Sequence, residues 1–303
     1  MPEPFSPLRY PGGKAGLAPF IARVLRENRL LGGIYAEPYA GGAGAALELL
    51  IGEDVDQIII NDFDRRIFAF WWAVLNRTEE FVNRIETVPL NVAEWRRQRA
   101  TYLSPGRIDR VTLGFATFFL NRCNRSGILR TGGPIGGHDQ AGKWKIDARF
   151  NRPKLAARVR RVARFAERIE LRNLDALDIL RDISKRVSVA KKAFVYLDPP
   201  YYVKGRQLYF NNYQDADHRR LARFFSGRKP YKWLISYDNS PEIKALYKKR
   251  KQRVFDLPYT AHRRRIGQEL LIYDDSLAIP ESAWAGLEPA LAGWTSHNAT
   301  ATQ

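Results

Sequence analysis

The sequence predicts an α/β protein with an open sheet and a mainly helical insertion. Short apolar segments alternate with amphipathic helical patterns in two stretches, 34–76 and 153–273. Several of these segments end in an acidic residue, at the strand ends where open α/β sheets bind ligands. Between Arg77 and Asn151 the alternation lapses into helical segments around 92–102 and 109–120 and a basic loop. The alternating part therefore predicts a ligand crevice. The insertion interrupts this pattern and is predicted to have a function other than forming that crevice.

The composition is that of a soluble globular protein with a polyanionic partner. Of the 303 residues, 45% are hydrophobic and 27% charged, and 50 Lys and Arg against 32 Asp and Glu give a net charge of +18. Such an excess favours nucleic acid as the partner. Cys123 is a single cysteine and the four histidines lack paired metal-ligand spacing, so we expect neither a disulfide nor a metal. No apolar run spans a membrane and no secretory signal is visible, which predicts a cytoplasmic protein without membrane contact.

A tight turn precedes the first predicted strand. Arg9-Tyr10-Pro11-Gly12-Gly13-Lys14 leads into a helical pattern from Leu17 to Leu25. Pro-Gly-Gly permits a turn that exposes its backbone. Tyr10 and Lys14 flank this turn, and a ring and a cation are suited to enclose a small zwitterionic ligand. A plain surface turn is the alternative interpretation.

A glycine loop follows the first predicted strand. Glu37-Pro38-Tyr39-Ala40-Gly41-Gly42-Ala43-Gly44 joins that strand to a helix ending near Ile51, and glycines let a backbone approach a ligand closely. The second strand begins at Gln57 and ends at Asn61-Asp62. Asp62 lies 20 residues beyond Gly42, a spacing that suits an acid binding ribose hydroxyls. This pattern predicts a nucleoside-bearing cofactor.

The insertion from 77 to 151 carries a dense group of basic and amide side chains. Arg and Asn read base edges, and Lys and Arg also neutralise phosphates. Lys143–Ile146 alternates as a short strand does. A solvated basic loop is the alternative interpretation. The predicted DNA contacts are Arg122, Asn124, Arg125, Ser126, Arg130, Lys143 and Lys145.

The second alternating stretch contains the central motif of the chain. A helix over 154–168 and a strand from Ile169 to Asp175 lead to the apolar strand Ala193–Leu197. Asp198-Pro199-Pro200-Tyr201 follows that strand, and the two prolines end it. Oxygen acceptors beside an aromatic ring suit a planar base with an exocyclic amino group. Further predicted strands cover 233–238, 254–257 and 269–273, and the tail from Pro280 is peripheral.

In this order the motifs resemble those of the DNA adenine methylase (Dam-like) family of N6-adenine-specific DNA methyltransferases, over roughly residues 7–274. The resemblance implies a Rossmann-like fold that uses S-adenosyl-L-methionine. It also implies a catalytic domain of residues 1–76 and 152–279, a target-recognition domain inserted at 77–151 and a peripheral tail at 280–303. The partner would be double-stranded DNA. We expect a monomer in solution, and a cognate restriction enzyme is a candidate second partner.

Carried over to this sequence, the resemblance assigns two groups of residues. The catalytic group is Asp198, Pro199, Pro200 and Tyr201. The cofactor-binding group is Tyr10, Lys14, Glu37, Gly41, Gly42, Gly44, Asp62, Asp175 and Asp198. Ala43 interrupts the glycines, which we expect to change little.

Three alternatives stay open at this point. A cytosine-N4 enzyme would use the same geometry, and a methyltransferase acting on RNA or on protein glutamine shares the same acceptor motif. A non-catalytic DNA-binding module on the same fold is the third. The recognised DNA sequence does not follow from the residues.

Overall fold

The computed structural model describes residues 4–9, 14–202, 213–259 and 265–285. The described strands form one seven-stranded sheet in the order β3-β2-β1-β4-β5-β7-β6. β7 runs antiparallel to both of its neighbours, β5 and β6, and the other described strand pairs are parallel. The strands are β1 (Gly33–Glu37), β2 (Val55–Asn61), β3 (Ile169–Arg172), β4 (Ala193–Leu197), β5 (Lys232–Asp238), β6 (Lys251–Tyr259) and β7 (Arg265–Tyr273).

Helices surround this sheet. The described helices are α1 (Ala18–Glu27), α2 (Gly44–Ile51), α3 (Arg65–Asn76), α4 (Thr78–Thr87), α5 (Val92–Leu103), α6 (Arg110–Cys123), α7 (Arg152–Ala163), α8 (Ala176–Lys185), α9 (Val187–Ala190), α10 (Asp215–Phe224), α11 (Pro241–Leu246) and α12 (Glu281–Ala285). Among them, none is long and apolar enough to cross a membrane.

Alternating side chains of the strands fill two hydrophobic cores, one on each face of the sheet. Tyr35 and Phe194 belong to the core that also contains α1, α2 and α3. Ala36 and Val195, their chain neighbours, belong to the core that contains α8 and α10. Because side chains point to opposite faces along a strand, apolar strands of this kind are buried on both sides. The mixed α/β architecture with a mostly parallel sheet confirms the predicted fold class.

The helices of the insertion pack directly on α3. The Phe70 ring of α3 lies 6.0 Å from the Phe118 ring of α6 and almost parallel to it, and Phe81 of α4 contacts both. Gly114 lets α6 approach closely, since a Cβ atom there would lie 2.5 Å from the Ala69 carbonyl oxygen. The insertion therefore shares a core with the α/β part. Its role as a recognition domain stays a prediction.

The predicted elements lie close to their observed positions, but several boundaries differ and several helices were missed. The helix expected over 154–168 covers Arg152–Ala163, and neither α4 nor the helices from α8 to α12 were predicted individually. The strand expected over 169–175 ends at Arg172, because the next residues turn to start α8. The short strand expected at 143–146 is wrong: the Gln140 side chain accepts a hydrogen bond from the Ile146 amide at 2.9 Å and holds this segment as a turn.

Candidate active site

The carboxyl ends of β1, β2 and β4 meet at a cavity of about 510 Å³. The strand order reverses between β1 and β4, which is where open α/β sheets form their ligand crevice. Tyr10 lies outside the described residues. The predicted catalytic and cofactor-binding residues that line the cavity are Lys14, Glu37, Gly41, Gly42, Gly44, Asp62, Asp175, Asp198 and Pro200. Two of the predicted DNA contacts, Arg122 and Arg130, line it as well.

Asp198 follows β4 and is held by neighbours on both sides. Its Oδ1 atom accepts a hydrogen bond from Ser236 Oγ of β5 at 3.0 Å and lies 3.5 Å from Lys14 Nζ. Tyr196 stabilises Ser236 in turn, with 2.7 Å between the two hydroxyl oxygens. Burial raises the pKa of Asp198 to about 6, against the opposing effect of Lys14. The side chain keeps 24% exposure, so this carboxylate is both fixed and accessible from the cavity.

Tyr201 ends the Asp-Pro-Pro-Tyr motif and is anchored through its hydroxyl group. That group donates to Glu269 Oε1 at 2.6 Å and accepts from Lys14 Nζ at 2.8 Å. Lys14 Nζ also lies 2.6 Å from Glu269 Oε1, and both of these side chains are almost completely buried. Burial lowers the pKa of Lys14, but Asp198 and Glu269 outweigh it and raise the pKa overall.

Glu269 was missed as a site residue. It lies on β7 and carries no motif around it. The one signal in the sequence is an acidic residue that directly precedes the apolar run Leu270–Ile272. Buried carboxylates need a partner, and Glu269 finds one in Lys14, 255 positions away in the chain.

The glycine loop and Asp62 hold each other in place. Asp62 Oδ2 accepts from the Gly41 amide at 3.0 Å, and Oδ1 accepts from the Asp64 amide at 2.9 Å. Burial, and then the neighbouring carboxylate of Asp64, raise the pKa of Asp62 to about 7. Ala43 adopts a left-handed conformation with φ 46°, immediately before α2. The loop is thus preorganised around one carboxylate.

Glu37 ends β1 and is buried at the base of the cavity. Its Oε1 atom accepts from the Tyr35 hydroxyl and from the Ala46 amide of α2, each at 3.1 Å. Burial raises the pKa of Glu37 to about 8. The residue joins β1 to the first turn of α2 and fixes the glycine loop between them.

Asn61 ties together the ends of three strands, and sequence reasoning gave it no role of its own. Its amide nitrogen donates to the carbonyls of Pro38 and Leu174 at 2.9 and 3.0 Å. The Leu174 amide donates back to Asn61 Oδ1 at 2.8 Å. Asp175 comes next and caps α8 by accepting from the Leu177 amide at 2.9 Å.

Phe63 is a second residue that the motifs did not reveal. It stands between Asp62 and Asp64 and lines the cavity, with 60% of its surface exposed. Large aromatic side chains are usually buried, so an exposed ring on a cavity wall is suited to a planar ligand.

The predicted DNA contacts divide into buried and exposed residues. Asn124 is fully buried: it accepts from the Trp95 indole at 2.7 Å and donates to the Ile128 carbonyl at 2.7 Å. Arg122 is also buried, and its Nε atom donates to the Arg149 carbonyl at 2.9 Å. These two side chains hold the loop together from inside.

Four of the five remaining predicted DNA contacts are exposed. The fifth, Ser126, is half-buried and adopts a left-handed conformation. Trp144 was not among the predicted contacts, but it is 66% exposed and lies between two lysines, one of which approaches its ring to 5.9 Å. The exposed predicted residues are Arg125, Arg130, Lys143 and Lys145.

The matched sequence family agrees with this site. Residues 10–266 match the model of the D12 class N6 adenine-specific DNA methyltransferases. The chain belongs to this family. It is similar to M.MjaIII, a type II methyltransferase of Methanocaldococcus jannaschii, with 23% identity over 243 residues that cover 74% of this chain and 79% of the relative. The predicted family, and with it the prediction of an adenine-specific DNA methyltransferase, is confirmed.

Proposed function

We propose that this D12 class enzyme transfers a methyl group from S-adenosyl-L-methionine to N6 of an adenine that is flipped out of double-stranded DNA at a specific sequence. The observation that carries the proposal is the position of Asp198. Its fixed, accessible carboxylate lies on the same cavity as the glycine loop and Asp62. An acceptor for an amine and a site for a nucleoside-bearing cofactor thus share one cavity.

The residues present fit S-adenosyl-L-methionine. Asp62 can accept hydrogen bonds from ribose hydroxyls at the end of β2, and the exposed ring of Phe63 can stack on the adenine ring of the cofactor. Asp175 lies near the same adenosine group. Glu37 and the glycine loop Gly41–Gly44 line the methionine end. When bound, the cofactor supplies an electrophilic methyl group on its sulfonium.

Asp198 makes the target amine a better nucleophile. The lone pair of an exocyclic amine is delocalised into the ring, so the amine reacts slowly. The Asp198 carboxylate and the Pro199 carbonyl accept its two hydrogens and localise the lone pair as the transition state forms. Ser236 and Lys14 already hold Asp198, so little reorganisation is needed. The nitrogen must lie in line with the methyl group at about 3–3.5 Å. The new N–C bond would form as the methyl–sulfur bond breaks, leaving a neutral thioether, and the methylated amine would then release one of its two protons to water.

Tyr201 orients the flipped base. A base inside a duplex cannot reach a cavity of this kind and must leave the stack. We assign Tyr201 to stack on it, with the ring direction set by the hydrogen bonds of its hydroxyl group to Glu269 and Lys14. Because these hydrogen bonds already restrict the Tyr201 side chain, it loses less conformational entropy when the base binds.

The exposed basic residues of the insertion are the proposed DNA contacts. Arg125, Arg130, Lys143 and Lys145 are exposed on one connected segment, and Trp144 offers a ring for stacking or insertion. Ser126 is retained as a minor contact. Arg122 and Asn124 shape this segment from inside. A monomer in solution and a cognate restriction enzyme remain predictions.

Transfer of labelled methyl groups tests the proposal. The wild-type protein is incubated with S-adenosyl-L-methionine and genomic double-stranded DNA, and the product nucleosides are separated. We expect label in N6-methyladenine, at one sequence when the product is sequenced with modified-base detection. N4-methylcytosine as the product would contradict the adenine assignment. Failure to bind the cofactor would favour the non-catalytic DNA-binding module.

Calorimetry of cofactor binding tests the role of Asp62. Asp62→Ala should weaken binding of S-adenosyl-L-methionine, because the ribose hydroxyls lose their acceptor. Equal affinity in wild type and variant would remove Asp62 from the proposed site.

A further inference from the structure

His218 of α10 is a buried side chain that the proposed mechanism does not use. It is 1% exposed, and its ring lies against the rings of Tyr202, Tyr213 and Tyr237, at centroid distances of 5.3, 5.0 and 5.5 Å. Its Nδ1 atom lies 3.0 Å from the hydroxyl oxygen of Tyr237 on β5. Burial lowers the pKa of His218 although nearby carboxylates oppose it, so the ring is neutral at pH 7. A buried, neutral and oriented ring is suited to hold its neighbours in place.

Tyr213, one of these neighbours, lines the proposed cofactor cavity. Its hydroxyl group shares a hydrogen bond with that of Tyr39, which also lines the cavity, and the two rings meet edge to face. Burial and, more weakly, the charge of Asp175 raise the pKa of Tyr213 to about 12, so Tyr213 lies near Asp175. Asp175 belongs to the end of the cavity that is assigned to the adenosine group. Tyr213 therefore forms part of the wall at that end.

Tyr202, a second neighbour, directly follows the Asp-Pro-Pro-Tyr motif. Its backbone amide donates to Asp238 Oδ1 at 2.9 Å, and its hydroxyl group donates to Asp215 Oδ1 at 3.1 Å. Its ring packs edge-on against His218. These contacts fix the chain immediately after Tyr201, which is the proposed stacking partner of the flipped base.

We propose that His218 is a positioning residue that holds Tyr213 at the cofactor and Tyr202 beside the target-base motif. The inference rests on the proposed cofactor and on the proposed place of the flipped base. Aromatic rings in edge-on contact stabilise one another beyond the area that they bury, and close packing restricts their movement. The contact with Tyr237 ties the cluster to β5, the neighbour of the strand that precedes the motif. One buried ring thus keeps the two halves of the site in register.

Two substitutions separate the ring of His218 from its polar contact. His218→Phe keeps a ring against Tyr202 and Tyr213 and loses the contact with Tyr237. His218→Asn keeps a polar atom near the Nδ1 position and loses the ring. Both variants should lose stability in thermal unfolding, because each removes buried interactions.

Cofactor binding should distinguish these two variants, although both are destabilised. Affinity for S-adenosyl-L-methionine is measured by calorimetry without DNA. His218→Asn should bind about 3- to 10-fold more weakly than wild type, because Tyr213 loses a ring contact, and His218→Phe should stay within about twofold. Tyr213→Ala should reproduce the loss of affinity.

The rate of methyl transfer reports the other half of the site. In single-turnover reactions at saturating cofactor and DNA, His218→Asn should be about 3- to 10-fold slower than wild type, and His218→Phe should be close to it. Tyr202→Ala should reproduce this slower rate with wild-type affinity for the cofactor. The two tyrosine variants therefore assign each effect to one contact of His218.

Leu221→Val is the matched control for loss of stability. Leu221 lies one turn further along α10, is fully buried and belongs to the hydrophobic core on that side of the sheet. In the described structure it does not line the cavity. The variant should unfold more easily than wild type and keep the wild-type affinity and rate.

Two outcomes would overturn the inference and leave the proposed function intact. One is wild-type affinity and rate in His218→Asn. The other is an equal loss in His218→Asn, His218→Phe and Leu221→Val, which would make His218 a residue of the core alone. A wild-type protein that binds no S-adenosyl-L-methionine would overturn the proposed function together with the inference.

Discussion

The carboxyl edge of the sheet and the segment from Asn121, at the end of α6, to Gly137 both contain buried polar side chains, but these side chains have different partners. This segment is called the loop below. At the sheet edge, Asp198 and Asp62 are each held by neighbouring donors and still line the cavity. In the loop, the side-chain amides of Asn121 and Asn124 form hydrogen bonds with other groups of the protein. Asn121 bonds both the amide and the carbonyl of Arg9, at 2.6 and 2.8 Å.

This difference distinguishes side chains that can bind a ligand from side chains that hold other residues in position. The buried amides of the loop fix the backbone from which Arg125 projects, and they also fix Arg9 beside the cavity. The carboxylates of the sheet edge are themselves the binding groups. Substitutions at the two places should therefore affect different quantities, stability in the loop and chemistry at the edge.

The largest loss of stability is expected for substitution of Glu269. This residue is an exception to the comparison, because it lies at the sheet edge but acts by holding Lys14 and Tyr201 in place. Glu269→Ala leaves Lys14 buried with only part of its counter-charge and removes the anchor of Tyr201. Losing one partner of a buried ion pair typically costs about 3–5 kcal/mol in the free energy of unfolding. Chemical denaturation of wild type and Glu269→Ala measures this change in the free energy of unfolding.

Two variants serve as controls for Glu269→Ala. Glu269→Gln keeps an acceptor for Lys14 and Tyr201 and should lose less stability. Glu281→Ala removes an exposed pair with Arg253 and should leave the unfolding transition unchanged. A stable Glu269→Ala protein with normal methyl transfer would show that the buried group is dispensable.

A matched pair in the loop sharpens the comparison. Asn124→Ala leaves the buried indole N–H of Trp95 without its acceptor, which should cost about 1–3 kcal/mol of unfolding free energy. Arg125→Ala removes an exposed charge and should weaken DNA binding at low salt without changing stability. Thermal unfolding and binding titrations at two salt concentrations measure both. If Asn124→Ala weakened DNA binding and Arg125→Ala lowered stability instead, Asn124 would be the DNA contact and Arg125 the structural residue.

The difference between the two regions also explains what the sequence could predict. The predicted position of Asp62 and Asp198 at the ends of strands agrees with the structure, where both line the cavity. This position could be predicted because apolar strands, and the loops or prolines that end them, are visible in a short stretch of sequence. The directions of Asn124 and Arg122 depend on Trp95 and Arg149, which no local pattern connects to them. Glu269 was missed for the same reason. The order of the strands in the sheet was not predicted, because it depends on pairing between segments that lie far apart in the chain.

The smallest effect is expected at Ala43, in the glycine loop. A left-handed backbone costs a non-glycine residue about 1–2 kcal/mol, and glycine avoids that cost but loses more entropy on folding. Ala43→Gly should therefore raise the free energy of unfolding by at most about 1 kcal/mol and leave cofactor affinity unchanged. Denaturation and calorimetry check this. A clear loss of stability would mean that the Ala43 methyl group contributes packing that outweighs the strain.

The pH profile of methyl transfer reports the protonation of Asp198. Its pKa of about 6 means that the carboxyl group becomes protonated as the pH falls below 6, and the protonated oxygen cannot accept from the amine. The single-turnover rate should therefore decrease toward low pH, by about tenfold per pH unit well below the pKa. It should level off above pH 7. A rate that stays constant from pH 7 to 5 would show that the ionised form is not required.

Single-turnover transfer by Asp198→Ala tests the central claim most directly, namely that the Asp198 carboxylate activates the target amine. Wild type and variant are compared at saturating labelled cofactor and saturating DNA, with affinities for both ligands measured separately. Removing one preorganised acceptor should lower the rate by about two to three orders of magnitude, while DNA affinity stays close to wild type. A variant that binds both ligands and still methylates adenine at nearly the wild-type rate would contradict the account.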